Sequence, residues 1–327
     1  MEYYAVIEEQ IAPPGPKAKE QSMTPTPRRL VAAALLLALA AGLGGCLVKK
    51  EKPAQQTPPY YRTSETLRTY QAGDYLEYNV QALLPKATAY TQGRMRISWD
   101  GPFTITGPIN QSFPAMKKTY QLCWYDQNGN PCYLPGDALT TLVHYVLQDG
   151  TGTERFVAMD AADNDTYYWV NTLGSLQEDP TDGGTAEPAE ILRSPLQSTA
   201  YTTAFYIMNC AAGGTEQCAS SVAKETRYLT VTDDNTLIPT NVERFANPYR
   251  ITYSNGNVTL LGTETELPMG PLDLFSICSR QTSTHRGTMY VVPEIGMIYQ
   301  ENTCDDIGDG KQPSQYIFSI TNVSFHY

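Results

Sequence analysis

The sequence contains few of the residues that enzymes and metalloproteins use for chemistry. Only three histidines occur in 327 residues, and His144, His285 and His326 are too far apart in sequence to suggest a catalytic dyad. No G-x-S-x-G, H-E-x-x-H or C-x-x-C motif is present, which argues against a nucleophile-elbow hydrolase, a zinc protease and a structural zinc site. We therefore expect a non-enzymatic chain without a cofactor or a metal.

Basic charge is also scarce. The chain has 23 lysines and arginines against 34 aspartates and glutamates, and its net charge is −11. An acidic surface is repelled by phosphate, so no nucleic-acid partner is expected, and direct adhesion to anionic lipid head groups is disfavoured. Attachment to a membrane would therefore need an anchor other than electrostatic attraction to lipid head groups.

Long apolar runs are absent except for one, from Leu30 to Leu43, which follows Arg28-Arg29. The run is too short to cross a bilayer, which takes about 20 residues of apolar helix. A basic pair followed by roughly 7–15 apolar residues is instead the pattern of a secretory signal peptide. The sequence therefore predicts export.

The apolar run ends at Leu43-Gly44-Gly45-Cys46, which resembles the lipobox of bacterial lipoproteins. The resemblance implies cleavage between Gly45 and Cys46 and attachment of acyl chains such as palmitate to Cys46. It also implies the outer membrane, because Leu47 replaces the aspartate that retains family members at the inner membrane. Two or more acyl chains on one protein are enough for stable membrane anchoring. The lipid on Cys46 is therefore the predicted membrane contact, and no other anchor is needed.

The chain divides into four predicted segments. They are an extension at 1–22, non-native or disordered, with Met23 the alternative start to Met1; a lipoprotein signal peptide at 23–45; a lipidated, proline-containing tether at 46–62; and a β-rich domain at 63–327. The last segment is long enough for one large domain or for two halves, near 63–200 and 201–327.

The cysteines predict an oxidised domain. Seven are present, and assigning Cys46 to lipid leaves six: Cys123, Cys132, Cys210, Cys218, Cys278 and Cys304. Fifteen pairings are possible for six cysteines, and their spacing favours pairing in sequence order. The turn from Asp126 to Gly129 would place Cys123 and Cys132 opposite one another on paired strands. Disulfides suit an exported chain.

Most of the chain after Tyr60 predicts strands. Short stretches rich in Tyr, Val, Thr and Ile end at Gly, Asn or Asp, as strands joined by tight turns do. The clearest hairpin is expected at Asn255-Gly256, between Arg250–Tyr253 and Val258–Leu261. We therefore expect a mainly β fold, with a curved antiparallel sheet as a half-barrel or sandwich built of hairpins and few helices.

Three stretches are assigned less directly. Residues 139–147 carry apolar side chains at helical spacing, but their β-branched content favours a strand. The sequence from Ser283 to Gly287, which contains His285, predicts a turn. The polar stretch from Gln177 to Glu190 predicts a surface loop that could serve as a lid or an insertion.

The run from Tyr290 to Tyr299 resembles the C-terminal part of β-rich bacterial envelope lipoproteins, in which a hairpin turns at Pro-x-x-Gly and a last strand closes a curved sheet. Some of those folds are similar to open half-barrels that carry lipid or lipoprotein. The resemblance implies the same architecture here, whereas a function drawn from fold alone is analogy.

Two remaining features favour ordinary structural explanations. Acidic groups at 160–165 and 305–309 could hold calcium, but neither matches an EF-hand loop, so solvated turns are expected. The 23 tyrosines against 8 phenylalanines suit half-exposed sheet faces or a binding groove, and cross-strand packing is the simpler explanation for Tyr60-Tyr61 and Tyr167-Tyr168-Trp169.

These observations predict a lipid-anchored protein of the bacterial envelope, most consistent with the outer membrane and its periplasmic or surface face. The expected role is non-enzymatic, either binding or assembly, with an apolar ligand or an envelope protein in the concave face of the sheet. Two alternatives stay open, namely a hydrolase that acts on glycan through paired carboxylates and a structural subunit of an envelope complex.

Overall fold

Alternation of apolar and polar side chains with a period of two governs the architecture. In the strand Tyr75–Leu83, every second residue from Leu76 to Ala82 is buried, and the residues between them are half-buried. Successive side chains of a strand point to opposite faces, so this pattern commits one face to the core and leaves the other against water.

The computed structural model describes residues 58–83, 87–106, 112–160, 166–172, 188–211, 221–240, 243–260, 284–305 and 314–326. The strands in these residues are β1 Tyr60–Tyr61, β2 Tyr75–Leu83, β3 Thr91–Thr106, β4 Ser112–Trp124, β5 Thr140–Gln148, β6 Glu154–Asp160, β7 Thr166–Thr172, β8 Ala189–Leu192, β9 Thr199–Ala211, β10 Ser221–Asp233, β11 Leu237–Pro239, β12 Arg244–Ala246, β13 Tyr249–Leu260, β14 Thr284–Val292, β15 Gly296–Asp305 and β16 Ser314–Ser324. No helix occurs among the described residues, and hence none that could cross a membrane.

Twelve antiparallel strands curl into a nearly closed barrel. The order around it is β5-β4-β3-β2-β16-β15-β14-β13-β10-β9-β7-β6, and β6 pairs back with β5. The second edge of β6 is shared by β7 and β8. A mainly β fold with a curved antiparallel sheet is therefore confirmed, and the curvature goes further than a half-barrel because β5 and β6 bring the two ends of the sheet together.

A small second sheet lies next to the barrel. It has the order β1-β12-β11, with β1 parallel to β12 through the pairs Tyr60 with Phe245 and Tyr61 with Ala246. The rings of Tyr60 and Phe245 pack with centroids 5.8 Å apart. This sheet holds the chain where the compact unit Pro58–Tyr327 begins.

The barrel interior carries the hydrophobic core. Leu76, Tyr78 and Val80 of β2 belong to one buried cluster with Met95 and Ile97 of β3. The cluster continues around the barrel through Phe318 of β16, the neighbour of β2, and then through Ile298, Val291 and Ile251 of β15, β14 and β13. Burial of these side chains in one shared cluster stabilises the described part of the barrel.

Several local predictions are confirmed. Residues 140–148 form β5 rather than a helix, and Asp149 begins the predicted turn, in which the Gly152 backbone N–H donates to the Asp149 carbonyl oxygen. The hairpin at Pro293 to Gly296 joins β14 to β15. The last strand, β16, joins the sheet between β15 and β2, whereas closure itself is made by β5 and β6.

The hairpin predicted at Asn255-Gly256 is wrong. Both residues lie inside the continuous strand β13, which pairs with β10 along its length. The partner of Arg227 is Asn255 while that of Glu225 is Val258, so β13 carries one extra residue between these pairs. Asn-Gly therefore lies at a β-bulge here, because pairing with the long strand β10 on both sides of the irregularity outweighs the local turn preference.

Two further expectations need correction. His285 lies in strand β14 rather than in a turn. The disulfide between Cys123 and Cys132 is present, but only Cys123 lies in a strand, while Cys132 belongs to the irregular segment that follows β4. Asp126 organises that segment, since its carboxylate accepts from the backbone N–H groups of Asn128 and Asn130.

Candidate functional site

One end of the barrel is covered by the segment 62–74, which joins β1 to β2 and is called the strap here. It contains no strand. Its backbone is bound to three barrel turns: Leu67 N–H donates to Ser194 Oγ at 3.0 Å, Arg68 N–H to the Pro293 carbonyl at 2.8 Å, and Tyr70 N–H to Gln148 Oε1 at 2.8 Å. The cover is therefore a separate piece of chain, not a continuation of the barrel wall.

Tyr70 is the strap residue that reaches furthest into the barrel end. Its ring stacks on Trp99 of β3, with centroids 3.7 Å apart and planes 6° apart, and its hydroxyl donates to the Ile295 carbonyl at 2.9 Å. Burial, with a smaller contribution from the nearby Glu154 carboxylate, raises the pKa of Tyr70 far above its usual value. The phenol therefore stays neutral.

Two glycines allow the strap to approach the turns closely. Gly152 has φ +81°, and a Cβ there would lie 2.1 Å from the carbonyl oxygen of Leu67. Gly296 has φ +112°, and a Cβ there would lie 2.1 Å from the Tyr70 hydroxyl oxygen. Any larger residue at either position would push the strap outwards and would also strain the backbone.

Beneath the strap lies a cavity of about 50 Å³. Most of its wall is apolar, from Leu67, Leu192, Met289, Val291 and Met297. Its polar lining includes Lys118 and Glu154. One water needs roughly 10–15 Å³ of such space, so the cavity has room for a few waters or one small polar group, and a larger ligand would need a wider space than this one.

An ion pair, here called the cavity pair, forms the polar end of this space. Lys118 Nζ lies 2.8 Å from Glu154 Oε1, and the two side chains are only 4% and 9% exposed. Lys118 comes from β4 and Glu154 from the start of β6, and Lys118 Nζ also lies 5.4 Å from the centroid of the Trp99 ring. Two desolvated charges beside an apolar cavity are expensive to maintain, which makes the pair the strongest chemical feature of the site.

His144 lies beside the cavity pair, because it is the cross-strand partner of Lys118. Its ring packs between Tyr120 and Phe156, at centroid distances of 4.9 and 4.7 Å. Burial, together with the positive charges of Lys118 and Arg227, lowers the pKa of His144 to about 3. The imidazole is therefore neutral near pH 7, and its Nδ1 atom has no hydrogen-bond partner among the described residues.

Polar groups also line the opposite wall of the barrel. The amide of Gln300 on β15 donates to the Tyr253 hydroxyl, while Gln300 Oε1 has no partner among the described residues. The Tyr253 hydroxyl fits because Gly287, its cross-strand partner, has no side chain. The interior thus combines an apolar core with isolated polar groups on facing walls.

A second buried carboxylate, Asp74, lies at the end of the strap and is fully buried. Its oxygens accept from the backbone N–H of Gln71 at 2.9 Å and of His326 at 2.6 Å, and Arg68 Nε lies 3.8 Å away. These four residues, the Asp74 cluster, join the strap to the C-terminal segment. The carboxylate is enclosed by backbone donors and is committed to holding the structure.

The sequence-predicted site residues are distributed as follows. Gly45 and Cys46 lie outside the described residues, as do Cys218, Cys278, most of 160–165, most of 305–309 and most of 177–190. The side chains of Cys210 and of 167–169 also lie outside the description. Cys304 is disulfide-bonded, with a partner beyond the described side chains. Within the described residues, no group of three potential metal ligands occurs.

Sequence reasoning missed the cavity pair. A signal for it exists in β4, where Lys118 occupies an alternate position shared with Tyr120 and Leu122, and all three are buried. A charged residue on the apolar face of a strand demands a buried partner. Glu154 could not be named as that partner, because only closure of β5 against β6 brings it near Lys118.

Comparison with known proteins adds no assignment. No protein-family model matches the chain, and no curated protein or solved structure is significantly similar to it.

Proposed function

We propose that this chain is a lipid-anchored protein of the bacterial envelope that binds an amphiphilic ligand at the strap-covered end of its barrel. The anchor is the lipid that the lipobox-like sequence places on Cys46, and the outer membrane is the proposed location. The binding role is carried by one observation, a cavity with mostly apolar walls and one buried ion pair that is partly covered by a separate segment of chain. Apolar walls with a few converging polar groups are the usual composition of small-molecule sites.

The strap supports a binding function because it could move to admit a ligand while the strands of the barrel wall stay in place. Typical ligand sites enclose roughly 300–1,000 Å³, far more than this cavity, so an acyl chain would need a wider space, which movement of the strap could provide. The strap is attached by hydrogen bonds such as those of Leu67 and Tyr70, and its release would leave the barrel strands paired.

The alternative of a glycan hydrolase receives less support from the same residues. Such enzymes place two carboxylates about 5–9.5 Å apart on either side of a bound sugar. Of the two buried carboxylates described here, Asp74 is held by backbone N–H groups and Glu154 by Lys118. Neither is presented to a sugar-sized cleft, so binding is the function that we prefer.

The test is to identify what the anchored protein carries. The full chain would be expressed in a bacterial host, isolated from membranes in mild detergent, and analysed by mass spectrometry for co-purifying lipids. We expect about one amphiphile per chain in the wild type and a several-fold loss in Val291→Phe, which fills the cavity wall. Val323→Phe is the matched control, since Val323 is exposed on β16.

Thermal unfolding of both variants would show whether each remains folded, because extra volume in a packed core costs about 1–3 kcal/mol. A wild-type protein that carries no amphiphile, or a Val291→Phe variant that carries as much as the wild type, would contradict the binding proposal. Labelled palmitate that enters the wild type but not Cys46→Ala would support the proposed anchor separately.

A further inference from the structure

We infer that the polar end of this cavity selects ligands whose head group is uncharged and can both donate and accept a hydrogen bond, such as an alcohol, a glyceride hydroxyl or an amide. This inference rests on the proposed binding function and names the chemical class of its ligand. It excludes free carboxylates and amines as preferred head groups.

The first argument is charge balance. The cavity is lined by two cations, Lys118 and Arg68, and each lies beside a carboxylate. Lys118 Nζ is 2.8 Å from Glu154, and Arg68 Nε is 3.8 Å from Asp74. Both cations of the lining are therefore compensated by a carboxylate, Glu154 within the lining and Asp74 behind it, and an anionic head group would find no uncompensated cation among them.

The second argument is the surroundings of the cavity pair. The groups that face it from neighbouring elements are Tyr70 of the strap, Trp99 and Tyr120 on its own side of the barrel, and the His144 ring. Tyr70 and His144 are both held neutral, by a raised and a lowered pKa respectively. None of these groups supplies a charge that could compensate an ionised head group, and the Arg227 cation that acts on His144 does not line the cavity.

The third argument is the cost of desolvation. An ionised head group that enters an apolar enclosure loses its hydration, and without a compensating partner that loss is several times larger than for a hydroxyl or an amide. A neutral hydroxyl can instead donate to a Glu154 oxygen and accept from the Lys118 ammonium without breaking the pair. Hydrogen bonds to charged groups are stronger than those between neutral groups, so contact with the pair should strengthen the binding of a neutral polar head group.

The experiment compares four probes that share one C16 chain: hexadecanol, palmitate, hexadecylamine and hexadecane. Binding to the mature anchored chain in phosphatidylcholine nanodiscs would be measured by competition with a labelled monoacylglycerol. We expect hexadecanol to compete at a concentration at least about tenfold lower than palmitate or hexadecylamine, a preference that corresponds to about 1.4 kcal/mol.

Variants of the pair make the inference specific. Glu154→Gln leaves the lysine charge without its carboxylate, so the preference should switch to palmitate. Lys118→Met leaves the carboxylate alone, so the preference should switch to hexadecylamine. The double variant Lys118→Met/Glu154→Gln stays neutral and provides a test if the single variants fold poorly. It should still reject the charged probes but lose most of the advantage of hexadecanol over hexadecane.

The outcomes separate the two proposals. If the wild type binds palmitate as well as hexadecanol, or if Glu154→Gln keeps the wild-type order of probes, the head-group inference is wrong while amphiphile binding stands. If the double variant folds and keeps the full advantage of hexadecanol over hexadecane, the cavity pair is not the recognition element. If the wild type binds none of the probes and not the labelled monoacylglycerol, the proposed function itself is contradicted.

Discussion

The two buried carboxylates of this barrel end differ in what surrounds them. Asp74 is enclosed by backbone N–H groups of Gln71 and His326, whereas Glu154 has Lys118 as its partner and lines a cavity. A carboxylate held by the backbone ties segments of chain together, and one held by a movable side chain beside empty space can exchange partners. The contrast fits a structural role for the Asp74 cluster and supports the recognition role proposed for the cavity pair.

The largest expected effect comes from a substitution that tests the structural role of the Asp74 cluster. Asp74→Leu removes the acceptor of two backbone N–H groups and the carboxylate beside Arg68, so we expect a loss of about 5 kcal/mol in the free energy of unfolding. Urea unfolding measures it. Asp233→Ala is the control, because Asp233 forms an exposed pair with Arg62 and should cost at most about 1 kcal/mol. A loss for Asp74→Leu as small as the control's would contradict the structural role.

The next effect concerns the cavity pair. Lys118→Met should destabilise the protein by about 3–5 kcal/mol, since it leaves the Glu154 carboxylate buried without its cation. The double variant Lys118→Met/Glu154→Leu should recover most of that loss, because apolar replacement of a buried pair is often neutral or stabilising. The matched double variant Arg68→Met/Asp74→Leu should show no such recovery, because the backbone donors of Gln71 and His326 would remain unsatisfied. If both double variants recovered the free energy of unfolding equally, the two carboxylates would not differ in structural role as stated above.

A smaller effect is expected when the strap is displaced without touching either carboxylate. Gly152→Ala places a Cβ against the Leu67 carbonyl oxygen at a positive φ, which should cost about 1–3 kcal/mol. Gly150→Ala is the matched control, since no atom lies within 4 Å of a Cβ at that position. Hydrogen exchange of the Leu67 and Tyr70 amides should accelerate in Gly152→Ala only. Unchanged exchange would mean that the strap does not depend on this close approach.

The last effect is a pH dependence that originates beside the cavity pair. The pKa of His144 falls from 6.5 in an unfolded chain to about 3 in the fold, so between these values the unfolded chain binds more protons. Stability should therefore fall as the pH is lowered from about 6.5 towards 3, by up to about 1.4 kcal/mol per pH unit. His144→Gln should remove that slope, as measured by urea unfolding at pH 7, 6 and 5.

His326→Gln is the matched control for this prediction, because the His326 side chain is 58% exposed and contacts Asp74 rather than the cavity pair. A His144→Gln variant with the same slope as the wild type would show that the buried imidazole does not control the acid sensitivity of the barrel end.

Local sequence patterns predicted much of the fold because they report on single strands. Alternation of polar and apolar residues predicts a strand at Tyr75–Val80, and β-branched residues favour a strand over a helix at 139–147. Both strands are observed, as β2 and β5. The same reasoning failed at Asn255-Gly256, where a dipeptide that favours a tight turn lies inside β13. The turn preference is outweighed by the ladder that β13 forms with β10 before and after these residues, and that pairing is not visible in a short window of sequence.

The candidate site was less predictable because its residues are distant in sequence. Tyr70 and Trp99 stack across the end of the barrel, and nothing in the sequence around either residue indicates the other. Lys118 could be recognised as a charge on an apolar face, but its partner could not be named. The acidic groups and cysteines that stand out in the sequence are therefore other residues than those that line the cavity.

By itself, the amino-acid sequence determined that the chain is acidic, that it forms strands with one apolar face, and that Cys123 pairs with Cys132, because each of these depends on composition or on neighbours within a few residues. Only the tertiary structure decided that the sheet closes through β5 and β6, that the strap covers one end, and that Lys118 meets Glu154. Closure brings strands with different sequence contexts into contact, and the energy of burying two charges together depends on that contact alone.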